Sequence, residues 1–184
     1  MKVLSIIGSP IRNGITEKLV DEVNKGIISK HEYAEIDKLF LQEHDIKACF
    51  ACNSCQKSLD TRCVIKDDMA DIYPKIINAD TLVFATPIYW WSVSAQLKLF
   101  IDRMYALLKE DDVSNFAGKK VILLMTYAGA RPNTGPKIVE RMFEDICKYL
   151  QMELVVTLGV CTGDADSDEV NTSMETAFDI GTRL

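Results

Sequence analysis

An α/β fold with one parallel sheet covered on both faces is what this sequence predicts, and three observations carry it. Short, continuously apolar runs recur along the chain, each stops at Gly, Pro or small polar residues, and segments with helical apolar spacing lie between them. Lys2 to Ile7 is the first such run and ends at Gly8, as a buried parallel strand does. Thr16 to Ser29 then places Leu19, Val20, Val23, Ile27 and Ile28 at helical spacing. Tyr33 to Phe40 is a weaker second strand, followed by a long loop from about Gln42 to Lys66. Asp67 and Asp68 stand where a helix start profits from carboxylates, and that helix runs to about Asn78 with a bend at Pro74. Thr81 to Thr86 is a third strand closed by Pro87, and Ser94 to Lys109 a long helix with Leu97, Phe100, Ile101, Met104 and Leu107 on one face. Lys120 to Thr126, Pro136 to Leu150, Glu153 to Val160 and Asp168 to about Gly181 complete the alternation as strand, helix, strand and helix. Five strands alternating with five helices make a parallel sheet whose ligands bind beyond the strand carboxyl ends.

Composition bounds the function. With 184 residues, 48% hydrophobic and 26% charged, and with no linker-like tract or internal repeat, residues 1–184 are expected to form one domain carrying a cysteine-rich loop at about 42–66. A net charge of -6, with basic residues scattered rather than striped, argues against a nucleic-acid or anionic-membrane surface. The apolar run Val3 to Ile7 is too short for a signal-peptide core, and Val121 to Met125 could not span a bilayer. A cytoplasmic location is expected, where clustered cysteines mean metal or redox sites more often than structural disulfides.

The loop after the first strand, Gly8-Ser9-Pro10-Ile11-Arg12-Asn13-Gly14-Ile15-Thr16, aims backbone amides and a helix amino terminus at one anion. Five residues separate Gly8 from Gly14, and Ile15 stands where a Walker lysine would, which excludes a nucleoside triphosphate loop. The dinucleotide fingerprint is absent too, and no acidic residue ends the second strand at Phe40. A mononucleotide phosphate remains, for which FMN is the usual occupant of such sheets; the competing reading is a plain Gly-Pro turn capped by Thr16. Thr86-Pro87-Ile88-Tyr89-Trp90-Trp91-Ser92 puts three aromatics in a row at the same sheet edge, where a flat ring could lie against them, although such residues also pack interfaces. The fourth strand ends in Thr126-Tyr127-Ala128-Gly129-Ala130, small enough for backbone to approach the same ligand.

Cys49, Cys52, Cys55 and Cys63 put four of the six cysteines into a short stretch of the long loop. Three within seven residues can wrap one corner of an iron-sulfur cluster; Val64 rather than Pro follows the fourth, and no second motif exists to share it. A self-contained [4Fe-4S] cluster, a zinc ion and free thiols stay open as readings. Cys147 and Cys161 read as structural, His31 and His44 as loop residues without catalytic work, and the Lys98, Asp102, Arg103 group as a salt-bridged helix end or subunit contact.

Taken together, Gly8-Ser9-Pro10 with Arg12, Gly14 and Thr16, the four cysteines running into Asp67-Asp68-Met69, Ala79-Asp80, and Thr86-Pro87-Ile88-Tyr89-Trp90 through Ser94-Ala95-Gln96-Leu97-Lys98 to Asp102-Arg103 resemble the NAD(P)H-dependent FMN reductases, and within them the iron-sulfur flavoproteins. The resemblance implies a flavodoxin-like three-layer sandwich with strand order 2-1-3-4-5. It implies that Ser9, Arg12, Asn13, Gly14, Ile15 and Thr16 hold the FMN phosphate and that Pro87, Ile88, Tyr89, Trp90 and Ser92 border the isoalloxazine ring. Backbone around Thr126, Tyr127, Ala128 and Gly129 is expected to tune the flavin. Iron-sulfur flavoproteins are similar in a four-cysteine motif for one [4Fe-4S] cluster, with Ala51 standing here where they often have Gly. The expected activity is electron transfer from NAD(P)H or a reduced carrier through FMN to an acceptor, with no catalytic side chain because the flavin carries the chemistry. The alternatives are a cluster-free NAD(P)H:FMN or quinone reductase and a noncatalytic flavin carrier. Aromatics around Trp91 and the amphipathic helix from Ser94 suggest a homo-oligomer, a dimer or tetramer.

Overall fold

A computed structural model describes residues 1–57, 63–108, 115–129, 134–163 and 167–184, the side chains of 167–169 apart. Strands β1 (Lys2–Ile7), β2 (Glu35–Phe40), β3 (Thr81–Pro87), β4 (Lys120–Tyr127) and β5 (Glu153–Cys161) form one sheet in the order β2-β1-β3-β4-β5, every pair parallel. Helices α1 (Ile15–Lys30), α2 (Met69–Asn78), α3 (Ala95–Arg103), α4 (Gly135–Tyr149) and α5 (Ser167–Thr182) lie between and after them. The expected flavodoxin-like architecture is therefore present.

The two-residue period of the strands divides the core in two. Leu4 and Ile6 of β1, Leu82 and Phe84 of β3, and Val121, Leu123 and Met125 of β4 pack with α2, α3 and α4 on one face. Val3 and Ile7, Val83 and Ala85, and Ile122 and Leu124 pack with α1 and α5 on the other. Because both faces are covered, β3 is buried at every position, which is why the central strands read as unbroken apolar runs. Helices α1 and α5 touch backbone to backbone: a Cβ on Gly26 would lie 2.1 Å from the Phe178 carbonyl oxygen, and one on Gly181 the same distance from that of Val23. Only glycine at both positions permits that approach.

Two expected boundaries move by more than one residue. Tyr33 lies before β2 in a turn closed by the Ala34 amide on the His31 carbonyl, and its side chain is exposed. The helix expected from Ser94 to Lys109 ends at Arg103 and tightens into a 3-10 turn over Met104–Leu107; the far end of that expectation lies outside the described residues. At the junction the Met104 amide is shared between the Phe100 and Ile101 carbonyls, while the Tyr73 hydroxyl donates to the Arg103 carbonyl at 3.2 Å. Among the described residues no helix is long and apolar enough to cross a membrane.

Candidate functional site

Strand order reverses at β1, whose neighbours are β2 on one side and β3 on the other, so the loops leaving β1 and β3 diverge and open a crevice at the sheet's carboxyl edge. A short lattice of hydrogen bonds fixes both loops. The Gly8 amide donates to the Ala85 carbonyl at 2.8 Å, and Ser94 Oγ donates to the Gly8 carbonyl at 2.7 Å while accepting from the Leu97 amide as the amino-terminal cap of α3. Thr86 Oγ1 accepts from the Ser94 amide at 3.0 Å and donates to the Pro87 carbonyl at 2.8 Å. A Cβ at Gly8 would sit 2.8 Å from Ser94 Oγ, so glycine is what lets the exit of β1 press against α3.

Past Gly8, Ser9 Oγ accepts from the Ile11 amide at 3.2 Å, and Asn13 turns the chain with φ 58°. Gly14 begins α1 with no side-chain cap. The first amides of this long helix therefore face the crevice without an acceptor from the cap residue, and its dipole adds positive potential there. Thr16 Oγ1 and Thr126 Oγ1 lie 2.8 Å apart, both residues buried, and this contact ties the first loop to the end of β4. Ile88 amide to Thr126 carbonyl, 2.8 Å, and Thr162 amide to Tyr127 carbonyl, 2.7 Å, bring the ends of β3 and β5 to the same place.

The result is a cleft of ≈ 700 Å³, its open mouth included, of the size that binds a cofactor. Of the residues expected from sequence, Ser9, Gly14, Ile15, Thr16, Pro87, Ile88, Tyr89, Thr126, Tyr127 and Ala128 line it. Ile11 and Thr162 line it as well and were not expected; Ile11's place in the loop after β1 and Thr162's directly after β5 were the available signal. Arg12, Asn13, Trp90, Ser92 and Gly129 are not among the lining residues. Ala130, named with the fourth loop, lies outside the described residues.

Arg12 has partners of its own. Its guanidinium donates to Glu17 Oε1 at 3.1 Å, makes a two-pronged contact with Glu43, and stacks 3.9 Å from the centre of the Phe40 ring. Glu17, buried in the first turn of α1, also accepts from the Asn13 amide at 2.7 Å and from Lys38 Nζ at 3.2 Å. Burial pushes the Glu17 carboxyl up, but the Asn13 amide, Lys38 and Arg12 together outweigh it and hold the group below the ordinary carboxylate range. Glu17 shares these two cations with Glu43 and Asp21, which pair with Arg12 and Lys38 in turn.

Trp90 and Trp91 occupy a two-residue turn. Tyr89 and Ser92 exchange both backbone hydrogen bonds, at 3.0 and 3.1 Å, and the tryptophans between them have φ 47° and 60°. Positive φ at both central positions is the type I′ signature, normally met by Asn-Gly. Two bulky residues there cost roughly 1–2 kcal/mol each. The indole of Trp90 is 89% exposed, so the turn holds its aromatic surface at the rim of the cleft rather than inside it.

The cysteines do not converge. Cys49 and Cys52 are exposed, Cys55 is buried in the core under α2 and α3, and Cys63 is half-buried against that core. Among the described residues no three histidine, cysteine or carboxylate side chains are gathered closely enough to hold a metal ion. The Ser54 hydroxyl and amide lower the Cys52 thiol, whereas burial pushes Cys147 up to about 11, the behaviour of a packed structural thiol.

The roots of the cysteine segment are clamped by a pair read differently from sequence. Lys98 does pair with Asp102, at 2.6 Å, but Arg103 turns inward, its side chain 1% exposed, onto fully buried Asp67. Arg103 Nη2 donates to Asp67 Oδ1 at 3.0 Å, and Nη1 donates to the Lys47 carbonyl at 2.8 Å and to Asp67 Oδ2. Asp67 also accepts from the Lys47 amide at 3.0 Å and the Met69 amide at 3.2 Å, so from just before the Asp68 cap position it meets the first amide of α2 while joining both ends of the segment to α3. Asp68 instead takes the Asp45 amide at 2.9 Å.

Comparison with known proteins gives a concordant result. The model of a family described as NADPH-dependent FMN reductase matches residues 1–163. An iron-sulfur flavoprotein of Methanosarcina thermophila is 30% identical over 86% of this chain and 78% of its own length. One from Methanocaldococcus jannaschii is 29% identical over 100% of this chain and 95% of its own length. Among solved structures, an NAD(P)H:quinone oxidoreductase from Methanothermobacter marburgensis superposes with TM-score 0.75 at 18% identity, covering 100% of this chain and 96% of that one, which is a likeness of fold.

Proposed function

This chain belongs to the NADPH-dependent FMN reductase family, and from that premise we propose that residues 1–184 form one domain that seats FMN in the cleft beyond β1, β3 and β4. It is a redox flavoprotein of the NAD(P)H-dependent FMN oxidoreductase type. The observation that carries the seating is the amino terminus of α1, which opens into the cleft without a side-chain cap and beside the Ser9 and Thr16 hydroxyls. Those hydroxyls, with the amides of Gly14, Ile15 and Thr16, would hold the phosphate. Arg12 and Asn13 act one step back, fixing the loop through Glu43 and Glu17. Pro87, Ile88 and Tyr89 give the ring one wall, Thr126, Tyr127 and Ala128 the other, and Trp90, Ser92 and Gly129 the rim.

Bound FMN supplies the ring that accepts a hydride from NAD(P)H and releases electrons to an acceptor. The chain orients that ring and shields it; hydride transfer needs stacking and alignment more than a protein acid, so the want of a histidine in the cleft lining costs nothing. Cys49, Cys52, Cys55 and Cys63 have the spacing of a [4Fe-4S] motif, but among the described residues the sulfurs as they stand are not gathered to hold one. The test is anaerobic titration of apoprotein with FMN, followed by rapid mixing of the complex with NADH and NADPH. Quenched flavin fluorescence and loss of the oxidised flavin band with at least one nucleotide are expected. Binding without loss of the band would leave a carrier rather than a reductase.

The reading includes a cytoplasmic location, consistent with six free cysteines, and self-association through the exposed tryptophan turn and α3. Sedimentation velocity of the FMN-loaded protein is expected to give a dimer or tetramer mass; a monomer at every concentration removes that part.

A further inference from the structure

We infer that Glu17 is a positioning residue for the phosphate seat: its buried carboxylate is an internal anion that folds the loop after β1 ahead of the ligand. The inference rests on the seating of FMN proposed above and names the residue that prepares it. Glu17 stands in the first turn of α1, directly after Thr16, with its side chain 6% exposed. Its Oε2 accepts from the Asn13 amide at 2.7 Å, and its Oε1 accepts from Arg12 at 3.1 Å and from Lys38 of β2 at 3.2 Å. The Asn13 contact is the one that shapes the loop. Asn13 has φ 58°, a left-handed turn that asparagine adopts more readily than most residues, and Gly14 follows it as the start of α1. Because the Asn13 amide meets a fixed carboxylate, the turn is held from inside the fold, and the three residues after it, Gly14, Ile15 and Thr16, line the cleft.

Charge alone would not put a carboxylate here. Glu17, Asp21 and Glu43 are three anions against the two cations Arg12 and Lys38, so the cluster carries one surplus negative charge beside the proposed phosphate position. A surplus of that sign repels a phosphate. Geometry acts the other way: apparent affinity falls with the fraction of molecules whose loop is competent, and a loop already held in the turn keeps that fraction high. The two effects of Glu17 on FMN therefore have opposite signs, and the positioning effect is the larger. Removing the carboxylate strands no charge, because Arg12 keeps Glu43 and Lys38 keeps Asp21, and α1 still buries Leu19, Val20 and Val23.

The test compares the parent with Glu17→Ala and Glu17→Gln. Amide hydrogen exchange of the apoprotein, read residue by residue, is expected to show the Asn13 amide protected in the parent and open in Glu17→Ala. Glu17→Gln should lie between them, because its carboxamide oxygen can still accept that amide. Stopped-flow binding of FMN should give a Kd about tenfold higher in Glu17→Ala, the result of competent loops falling to about a tenth. The loss should appear in the association rate and not in dissociation, with Glu17→Gln again intermediate and riboflavin, which has no phosphate, bound equally by all three. Tighter FMN binding in both variants would show that repulsion is the larger effect and overturns the inference. So does an Asn13 amide that exchanges as fast in the parent as in Glu17→Ala, a loss carried by dissociation, or an equal loss for riboflavin. Failure of the flavin seating itself looks different: the parent would bind no FMN, while the exchange comparison, made without ligand, still decides whether Glu17 holds the loop.

Discussion

Replacing Arg103 with methionine is expected to lower the free energy of unfolding by about 3–5 kcal/mol, the cost of leaving one member of a buried ion pair without its partner. The pair earns that figure through burial and geometry: both side chains are all but inaccessible, and the guanidinium fork meets the carboxylate with two donors. Removing it strands the Asp67 charge and the Lys47 carbonyl together. For a chain of this length the melting temperature should fall by roughly 6–20 °C, and urea unfolding should give the same ranking. Arg103→Lys should recover only part of the loss, since an ammonium cannot span both carboxylate oxygens and the Lys47 carbonyl. A change below about 1 kcal/mol would mean the clamp is not a stability element. The pair also sets an acid limit. Burial pushes the Asp67 carboxyl up, but the Arg103 hydrogen bonds, the Lys47 amide and the Arg103 charge outweigh it and hold it below its ordinary 3.8. A folded value below the unfolded one stabilises the fold at pH above 3.8 and loses that contribution as pH falls through the folded value. Acid unfolding of the wild type should therefore steepen below about pH 4, and the methionine variant should lack that component.

The same residue shows where sequence reading stops. Lys98, Asp102 and Arg103 look like one charged helix end, and the Lys98–Asp102 half of that reading holds because i,i+4 neighbours on a helix do meet. Arg103 finds Asp67 across the fold, a partner that no local period can announce. Arg12 is parallel: its place in a phosphate-type loop announces an anion, but not that Glu43, which the sheet brings alongside from the end of β2, would be one of its partners. What was legible was whatever the backbone period or the turn chemistry fixes. Strands buried on both faces must be apolar throughout, and the loop after the first strand had to carry Gly8 because α3 crosses so close. Cysteine spacing, by contrast, constrains how far four sulfurs can reach but not whether each faces water or core, and here two face each way. The Trp90–Trp91 turn ran against its own propensity rule, so only the structure reveals the hairpin geometry that displays the two indoles.

Thr16→Val is expected to weaken FMN binding by about 10–150-fold while changing riboflavin binding by less than about threefold, a difference set by the loss of one hydrogen bond to a charged group, about 1.5–3 kcal/mol. Valine keeps the branched shape of threonine in the first turn of α1 and removes only the hydroxyl. That hydroxyl meets Thr126 Oγ1 at 2.8 Å and can rotate to donate to a phosphate at the helix terminus. Riboflavin has the ring and ribityl chain but no phosphate, so its affinity reports the walls of the cleft alone. Thr126→Val supplies the second control, because it breaks the same threonine contact from the β4 side without touching the α1 terminus. If the phosphate sits on α1, Thr16→Val discriminates between the two flavins and Thr126→Val does not. Equal losses for both flavins in both variants would trace the effect to the tie between the two loops. A Thr16→Val protein that binds FMN as tightly as the parent, measured by fluorescence quenching and calorimetry, would remove the phosphate from this helix altogether. The ring would then have to find its anchor in the aromatic turn, where two tryptophans held at positive φ already wait at the rim.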